Sequence, residues 1–198
     1  MIGSLGGRMV RAAKLDASLY EEVEADREAL GQATAAVVLA SVAAGFATFA
    51  RGGVGGFLFG TIAALAGWYV WAFLTYWIGT RFLPEPQTQA DYGELLRTIG
   101  FSSSPGVIRV LGVIPGLTGP VFVVASIWML VAMVIAVRQA LDYTGTLRAV
   151  GVCLIGWIVQ VLILAVLLAL LRTSGGGLET SKDLTDRLFM VTSIWVSR

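Results

Sequence analysis

The side chains that could do chemistry in this chain are few, and most of them stand alone. Arg109 is the only charged residue inside an apolar segment, and no Asp or Glu interrupts the longer ones. A charge inside a bilayer needs water, a carboxylate or a lipid phosphate within reach. Two interpretations stay open: Arg109 extends its stem to the cytoplasmic surface, or it pairs with Asp142, Glu94 or a lipid phosphate as an internal lock.

Candidate nucleophiles are equally isolated. Cys153 and the serine run Ser102–Ser104 have no His to activate them, because the chain contains none. The same lack, together with a single Cys, removes the side chains that most often hold a metal or haem. We therefore expect no enzymatic activity, no cofactor, and no metal, haem or chlorin held by a side chain typical for these groups.

The composition places the chain in a membrane. Hydrophobic residues make up 57% and charged residues 14% of 198 residues, against roughly 45–50% and about 25% in soluble domains. The mean hydropathy is +0.80. A soluble protein of this size could not bury so much apolar surface. The net charge of +1 also excludes a basic field for nucleic acid.

Four uncharged segments are long enough to cross about 30 Å of hydrocarbon. They are Gly31–Ala50, Phe57–Ile78, Pro120–Val137 and Val150–Leu171. A fifth, Pro105–Ile114, is shorter and is either a broken span or a re-entrant segment. The expected fold is an all-α polytopic helix bundle with five spans, the third short or broken. The distribution of Lys and Arg favours a cytoplasmic N-terminus for four or five spans.

The two ends of the chain are predicted to be helices at the membrane surface. Residues 1–30 are expected to form a cytoplasmic segment that is amphipathic first and acidic afterwards, with Arg8, Arg11 and Lys14 facing anionic lipid. Residues 31–172 form the bundle, and residues 173–198 form a second interfacial helix. Between the second and third segments, Asp91 and Glu94 have the spacing of a capping box, which predicts a short helix.

Small residues predict how the first two spans pack, because helices in lipid associate through close contacts. Two rows at i+4 spacing are expected to face each other: Ala36, Ala40 and Ala44 in the first span, and Gly52, Gly56 and Gly60 in the second. The aromatic half of the second span has two interpretations. It is either an interfacial belt or, through Trp68 and Trp71, a face for a partner helix or a pigment.

Three stretches resemble the Yip family of five-span membrane proteins, first known as Ypt/Rab-interacting proteins, in its bacterial form. They are Leu19–Gly31 (LYEEVEADREALG), Tyr92–Arg109 (YGELLRTIGFSSSPGVIR) and Ile127–Ala149 (IWMLVAMVIAVRQALDYTGTLRA). The resemblance implies a five-helix bundle with a cytoplasmic N-terminus. In eukaryotic members it also implies vesicle traffic, Rab contact and membrane shaping. Their Asp-Leu-Tyr-Gly-Pro motif is reduced here to Leu19-Tyr20, so no Rab-type GTPase partner is expected.

The sequence leaves three functions open. The first is a non-enzymatic membrane protein that organises the membrane or scaffolds partner proteins. The alternative is an accessory subunit of a larger bacterial membrane complex, respiratory or photosynthetic, and a transporter or channel is the third. The expected location is the bacterial plasma membrane. The expected partners are the lipid bilayer and other membrane proteins, or a second copy of the chain.

Overall fold

A computed structural model describes residues 3–174, and all regular structure in that range is helical. The elements are α1 (Leu5–Ala13), α2 (Ala17–Ala25), α3 (Ala29–Arg81), α4 (Tyr92–Ser102), a 3-10 helix (Ser104–Val113), α5 (Thr118–Ala140) and α6 (Thr146–Ser174). The prediction of an all-α fold is confirmed for residues 3–174. The interfacial helix predicted for 173–198 lies outside the described residues from position 175 onward.

Within residues 3–174, four helical stretches are long and apolar enough to cross a membrane. They are the first span (Ala29–Phe49), the second span (Gly52–Arg81), Thr118–Ala140 and Thr146–Ile163. These correspond to the four uncharged segments that the sequence predicts. The shorter predicted segment, Pro105–Ile114, is third along the chain and coincides with the 3-10 helix. At ten residues this helix is too short to count as a membrane span by itself.

The first and second spans form a hairpin within α3. At Gly53 the backbone has φ 56° and ψ −162°, a conformation that glycine adopts without the steric penalty of a side chain. On either side of this kink the two spans touch, because a methyl group on Gly45 would lie 2.6 Å from the Phe57 ring. The Phe46 and Phe57 rings meet edge to face at 5.8 Å.

The third apolar segment is built from two helices in series, and Tyr92–Val113 is called the third segment below. Asp91 and Glu94 form the predicted capping box, with both reciprocal hydrogen bonds present. Leu95, Leu96 and Ile99 of this helix are buried. After Ser103 the chain continues as a 3-10 helix, whose rise of about 2.0 Å per residue extends the segment further than an α-helix would.

Close packing joins the third segment to the first span. Methyl groups on Gly100, Gly106 and Gly112 would lie 2.8, 3.1 and 3.1 Å from the Cβ atoms of three alanines. These are, in order, Ala33, Ala40 and Ala47. The alanines repeat every seven residues, which is two α-helical turns. Gly106 and Gly112 are six apart, which is two turns of a 3-10 helix. The two helices therefore run in parallel with small residues in contact.

This arrangement corrects the predicted packing of the first two spans. Ala36 and Ala40 are buried, but Ala40 contacts the third segment. Gly52, Gly56 and Gly60 are exposed, and a methyl group on any of them would meet nothing within 4 Å. The facing glycine row is therefore wrong. After the kink at Gly53 the second span turns Trp68 and Trp71 inward and the glycines of the predicted row outward.

Candidate functional site

Polar side chains gather at one end of the bundle, where several elements meet. We call this end the cap; it comprises α1, α2, the loop 82–91, the start of α4 and the turn 141–145. Gln139 donates to Glu21 at 2.7 Å, and Thr88 donates to the Leu141 carbonyl at 3.0 Å. In the described chain the opposite end holds the turn at Gly53, the loop 114–117 and the end of α6. The cap is thus the larger of the two polar surfaces described.

An ion network fastens α1 to α2. The Arg8 side chain is only 3% exposed and donates to Glu22 at 3.0 Å, Asp26 at 2.7 Å and Gln32 at 3.2 Å. Arg11 also pairs with Glu22. The expectation that Arg8 faces anionic lipid is therefore wrong. The acidic stretch that follows it in the sequence provides nearer partners on α2 and at its end, and Gln32 joins α1 to the first span.

Arg97 fastens α2 to the third segment. Its buried guanidinium donates to the Val23 carbonyl at 2.9 Å and to the Glu24 carbonyl. These carbonyls belong to the last turn of α2, where backbone acceptors have no partner within the helix. The sequence did not lead us to predict this role. The feature that could have indicated it is the position of Arg97 next to Leu96, a buried residue of a helix whose capping box was predicted.

An open cleft of about 830 Å³ lies in the cap between α2, α4 and the turn after α5. Its lining carries four carboxylates and three glutamine side chains. These are Glu21, Glu24, Glu94, Asp142, Gln87, Gln89 and Gln139. Arg138 lies on the rim, where its guanidinium donates to the carbonyls of Tyr143 and Thr144, both at 3.3 Å. The cleft therefore presents mainly hydrogen-bond acceptors and negative charge.

Glu24 is the carboxylate that this environment changes most. Burial, followed by the charges of Glu94 and Asp142, raises the pKa of Glu24 to about 7, while Arg97 opposes the shift. Elsewhere in the cap the opposite holds, because hydrogen bonds from arginines lower the pKa of Glu22 and Asp26. The cap therefore contains acidic groups that titrate in different pH ranges.

The stability of the cap is expected to fall as the pH rises from about 5 to 8. A carboxyl group with a raised pKa binds more protons in the folded state, so its contribution is present at low pH and is lost through pH 7. Because Glu24 is partly exposed, we expect about 1 kcal/mol, or about 2–4 °C in melting temperature. Melting of the detergent-solubilised protein at fixed ionic strength measures this slope. Glu24→Gln should remove it, and an unchanged slope would contradict the assignment.

The predicted lock between Arg109 and Asp142 does not form. Asp142 ends α5 in a left-handed conformation, with φ 53°, and its carboxylate accepts from the Gln89 backbone at 3.4 Å. Arg109 instead donates to Ser126 at 3.1 Å, which is sixteen residues before Asp142, about 24 Å along the helix. The expectation that Arg109 lies at the same end of the bundle as Asp142 is also wrong, because the third segment begins at Tyr92, seventeen residues before Arg109, and not at Ser104.

Arg109 lies in the half of the bundle that faces away from the cap. Its guanidinium carbon is 5.3 Å from the centre of the Phe122 ring. The buried Nε atom has no hydrogen-bond partner among the described residues, and none of their carboxylates is within ion-pair distance. An uncompensated guanidinium in lipid costs at least about 2.5–3.5 kcal/mol. One neutral hydroxyl and one ring compensate for this only in part.

The two tryptophans proposed as a partner or pigment face are inside the bundle. Trp68 and Trp71 are each 5% exposed. Trp68 donates to the Leu96 carbonyl at 3.1 Å, and a methyl group on Gly156 would lie 3.5 Å from the Trp71 ring. The interpretation as an accessible face is therefore wrong. In this half of the span the exposed aromatic residues are Tyr69, Phe73 and Trp77.

Among residues 3–174 no three His, Cys, Asp or Glu side chains are grouped to hold a metal ion, and Cys153 is buried.

Comparisons with known proteins identify the family of the chain. Searches of curated proteins and of solved structures found no significant match. The family model described as "Yip1 domain" matches residues 17–173, which include the whole bundle and α2. The chain is an apolar, helical membrane protein and belongs to the Yip1-domain family.

Proposed function

We propose that the protein is a non-enzymatic scaffold that holds partner proteins against the membrane at its cap. The observation that carries this is the rigid attachment of the cap to the spans, through the ion network of Arg8 and the hydrogen bonds of Arg97. A polar surface that is already ordered binds a partner without the entropic cost of arranging it. The acidic cleft suits a basic segment of a partner protein.

In this proposal the third segment crosses the membrane, which gives five spans. The eleven residues of α4 and the ten of the 3-10 helix extend about 16 and 20 Å. Together they are long enough for a bilayer whose hydrocarbon core is about 30 Å thick. Their contacts with the first span, from Ala33 to Ala47, support a crossing rather than a re-entrant loop.

We place the cap on the cytoplasmic side of a bacterial plasma membrane. Most of the described Lys and Arg residues lie at the cap end, as the positive-inside rule requires. They are Arg8, Arg11, Lys14, Arg27, Arg81, Arg97, Arg138 and Arg148. Both the N-terminus and the loop 82–91 are cytoplasmic in this arrangement. A Rab-type GTPase is not among the partners we propose.

A scaffold explains the chemistry of the cleft better than an enzyme or a transporter does. The cleft is lined by carboxylates and amides, with Tyr143 and Thr144 at its edge. Both hydroxyl groups are engaged in hydrogen bonds, that of Tyr143 to the Gly79 carbonyl and that of Thr144 to the Glu85 carboxylate. The four described spans contain no Asp or Glu within their apolar parts, so they offer no carboxylate relay for protons.

Copurification from native membranes in mild detergent tests the scaffold. Wild-type protein is expected to retain a partner, and Glu21→Lys, in the cleft, is expected to reduce retention at least tenfold. Glu28→Lys makes the same charge change on an exposed residue outside the cleft and should have no effect. Retention of a large stoichiometric complex by all three proteins would favour an accessory subunit instead. A protein recovered alone or only with its own copies would contradict the scaffold.

A further inference from the structure

We propose that Arg109 binds the phosphate group of an anionic membrane lipid, in the half of the bilayer that faces away from the cap. The first observation is its incomplete set of partners. The guanidinium donates to Ser126 and lies over Phe122, while the buried Nε atom has no hydrogen-bond partner among the described residues. A guanidinium presents five N–H donors in a fixed plane. Ser126 takes one of them and the buried Nε–H is out of reach of a lipid, so the other Nη donors are the ones available to a phosphate.

The second observation is the position of this group. Ser126 is eight residues from the start of α5, which is about 12 Å along the helix. A bilayer accommodates an arginine at such depth by local thinning, which draws phosphate groups inward. Arg109 lies between Gly106 and Gly112 on the row that packs against the first span, yet its own side chain remains partly exposed. A lipid headgroup can therefore reach part of the guanidinium from outside the bundle.

The third observation is the geometry that Phe122 and Ser126 impose. The ring covers one face of the guanidinium, and Ser126 holds one Nη atom at 3.1 Å. The remaining N–H groups lie in the plane of the guanidinium, where a phosphate accepts two hydrogen bonds at once. Lysine is a point charge and cannot reproduce this fork. The site should therefore prefer an anionic phosphate and depend on arginine.

Native mass spectrometry of the full chain in detergent tests the proposal, with phosphatidylglycerol as the probe. Wild-type protein should retain one molecule with at least tenfold higher affinity than Arg109→Gln. Arg109→Lys and Ser126→Ala should each bind more weakly than wild type. Arg81→Gln, which removes an exposed arginine at the cap end, is the control for general attraction and should bind like wild type.

Two further measurements distinguish a lipid phosphate from free phosphate and cover the case in which a variant does not fold. Inorganic phosphate at millimolar concentration should fail to displace the lipid; displacement would mean that the site binds free phosphate, which overturns the lipid assignment. If Arg109→Gln does not fold, Arg109→Lys decides, because affinity equal to wild type would contradict the fork. An equal loss of lipid affinity in Arg81→Gln would also overturn the proposal. So would a protein, bound in place of lipid, whose retention depends on Arg109.

Discussion

Gly100→Leu is expected to destabilise the bundle by at least about 3 kcal/mol, whereas Gly56→Leu is expected to leave its stability nearly unchanged. A methyl group on Gly100 would already lie 2.8 Å from the Ala33 Cβ, 3.1 Å from the Trp68 ring and 3.2 Å from the Ala33 carbonyl. The backbone atoms cannot rotate away, so the helices must separate, and overpacking of this kind costs about 1–3 kcal/mol or more.

Thermal or denaturant unfolding in detergent measures the difference between the two variants. Gly56 is a matched control because it is also a helical glycine in a small-residue row, yet it has open space around it. Replacing glycine by leucine restricts the backbone to a similar extent at both positions, so a difference in stability between the two variants reports packing. Equal destabilisation of the two variants would show that the small-residue contact between the first span and the third segment is wrong.

Arg97→Met is expected to release α2 from the bundle and to cost about 2–4 kcal/mol. The substitution keeps an apolar stem but leaves the Val23 and Glu24 carbonyls without their donor. A buried acceptor that loses its partner costs about 1–3 kcal/mol. Faster hydrogen exchange in α2 should accompany the loss, with the spans still protected.

Arg81→Met provides the control for Arg97→Met, because Arg81 is exposed at the end of the second span. It should alter neither the exchange of α2 nor the melting temperature by much. Arg97→Lys should recover part of the stability, since an ammonium group can donate to one carbonyl but cannot span both. Unchanged exchange of α2 in Arg97→Met would contradict the role of Arg97 in holding the cap.

The sequence predicts the long apolar helices and the start of α4 because the controlling features are local. Uncharged length alone identifies the spans, and the reciprocal hydrogen bonds of Asp91 and Glu94 need only three residues of spacing. The burial of Leu95 and Ile99 follows from the same helix. For these elements the pattern and the structure depend on the same neighbouring residues.

The contacts between helices depend on backbone conformation and on residues far apart in the sequence, and the residue pattern within one span contains neither. The non-helical backbone of Gly53 rotates the second span and decides that Trp68 faces inward and Gly56 outward. The partners of Arg97 lie 74 and 73 residues away, and Ser126 lies 17 residues from Arg109. The spacing of Gly100, Gly106 and Gly112 was visible in the sequence, but it becomes a contact row only once the 3-10 helix is known.

Site-specific photo-crosslinking in living cells tests most directly whether the cap is the surface that holds partner proteins. A photoreactive amino acid replaces Gln89, which is exposed in the cleft, or Pro115, which is exposed at the opposite end. If the cap holds partner proteins, we expect a discrete adduct with another protein at position 89, weakened by Glu21→Lys, and no adduct at position 115. The absence of a protein adduct at position 89, or equal adducts at both positions, would contradict it.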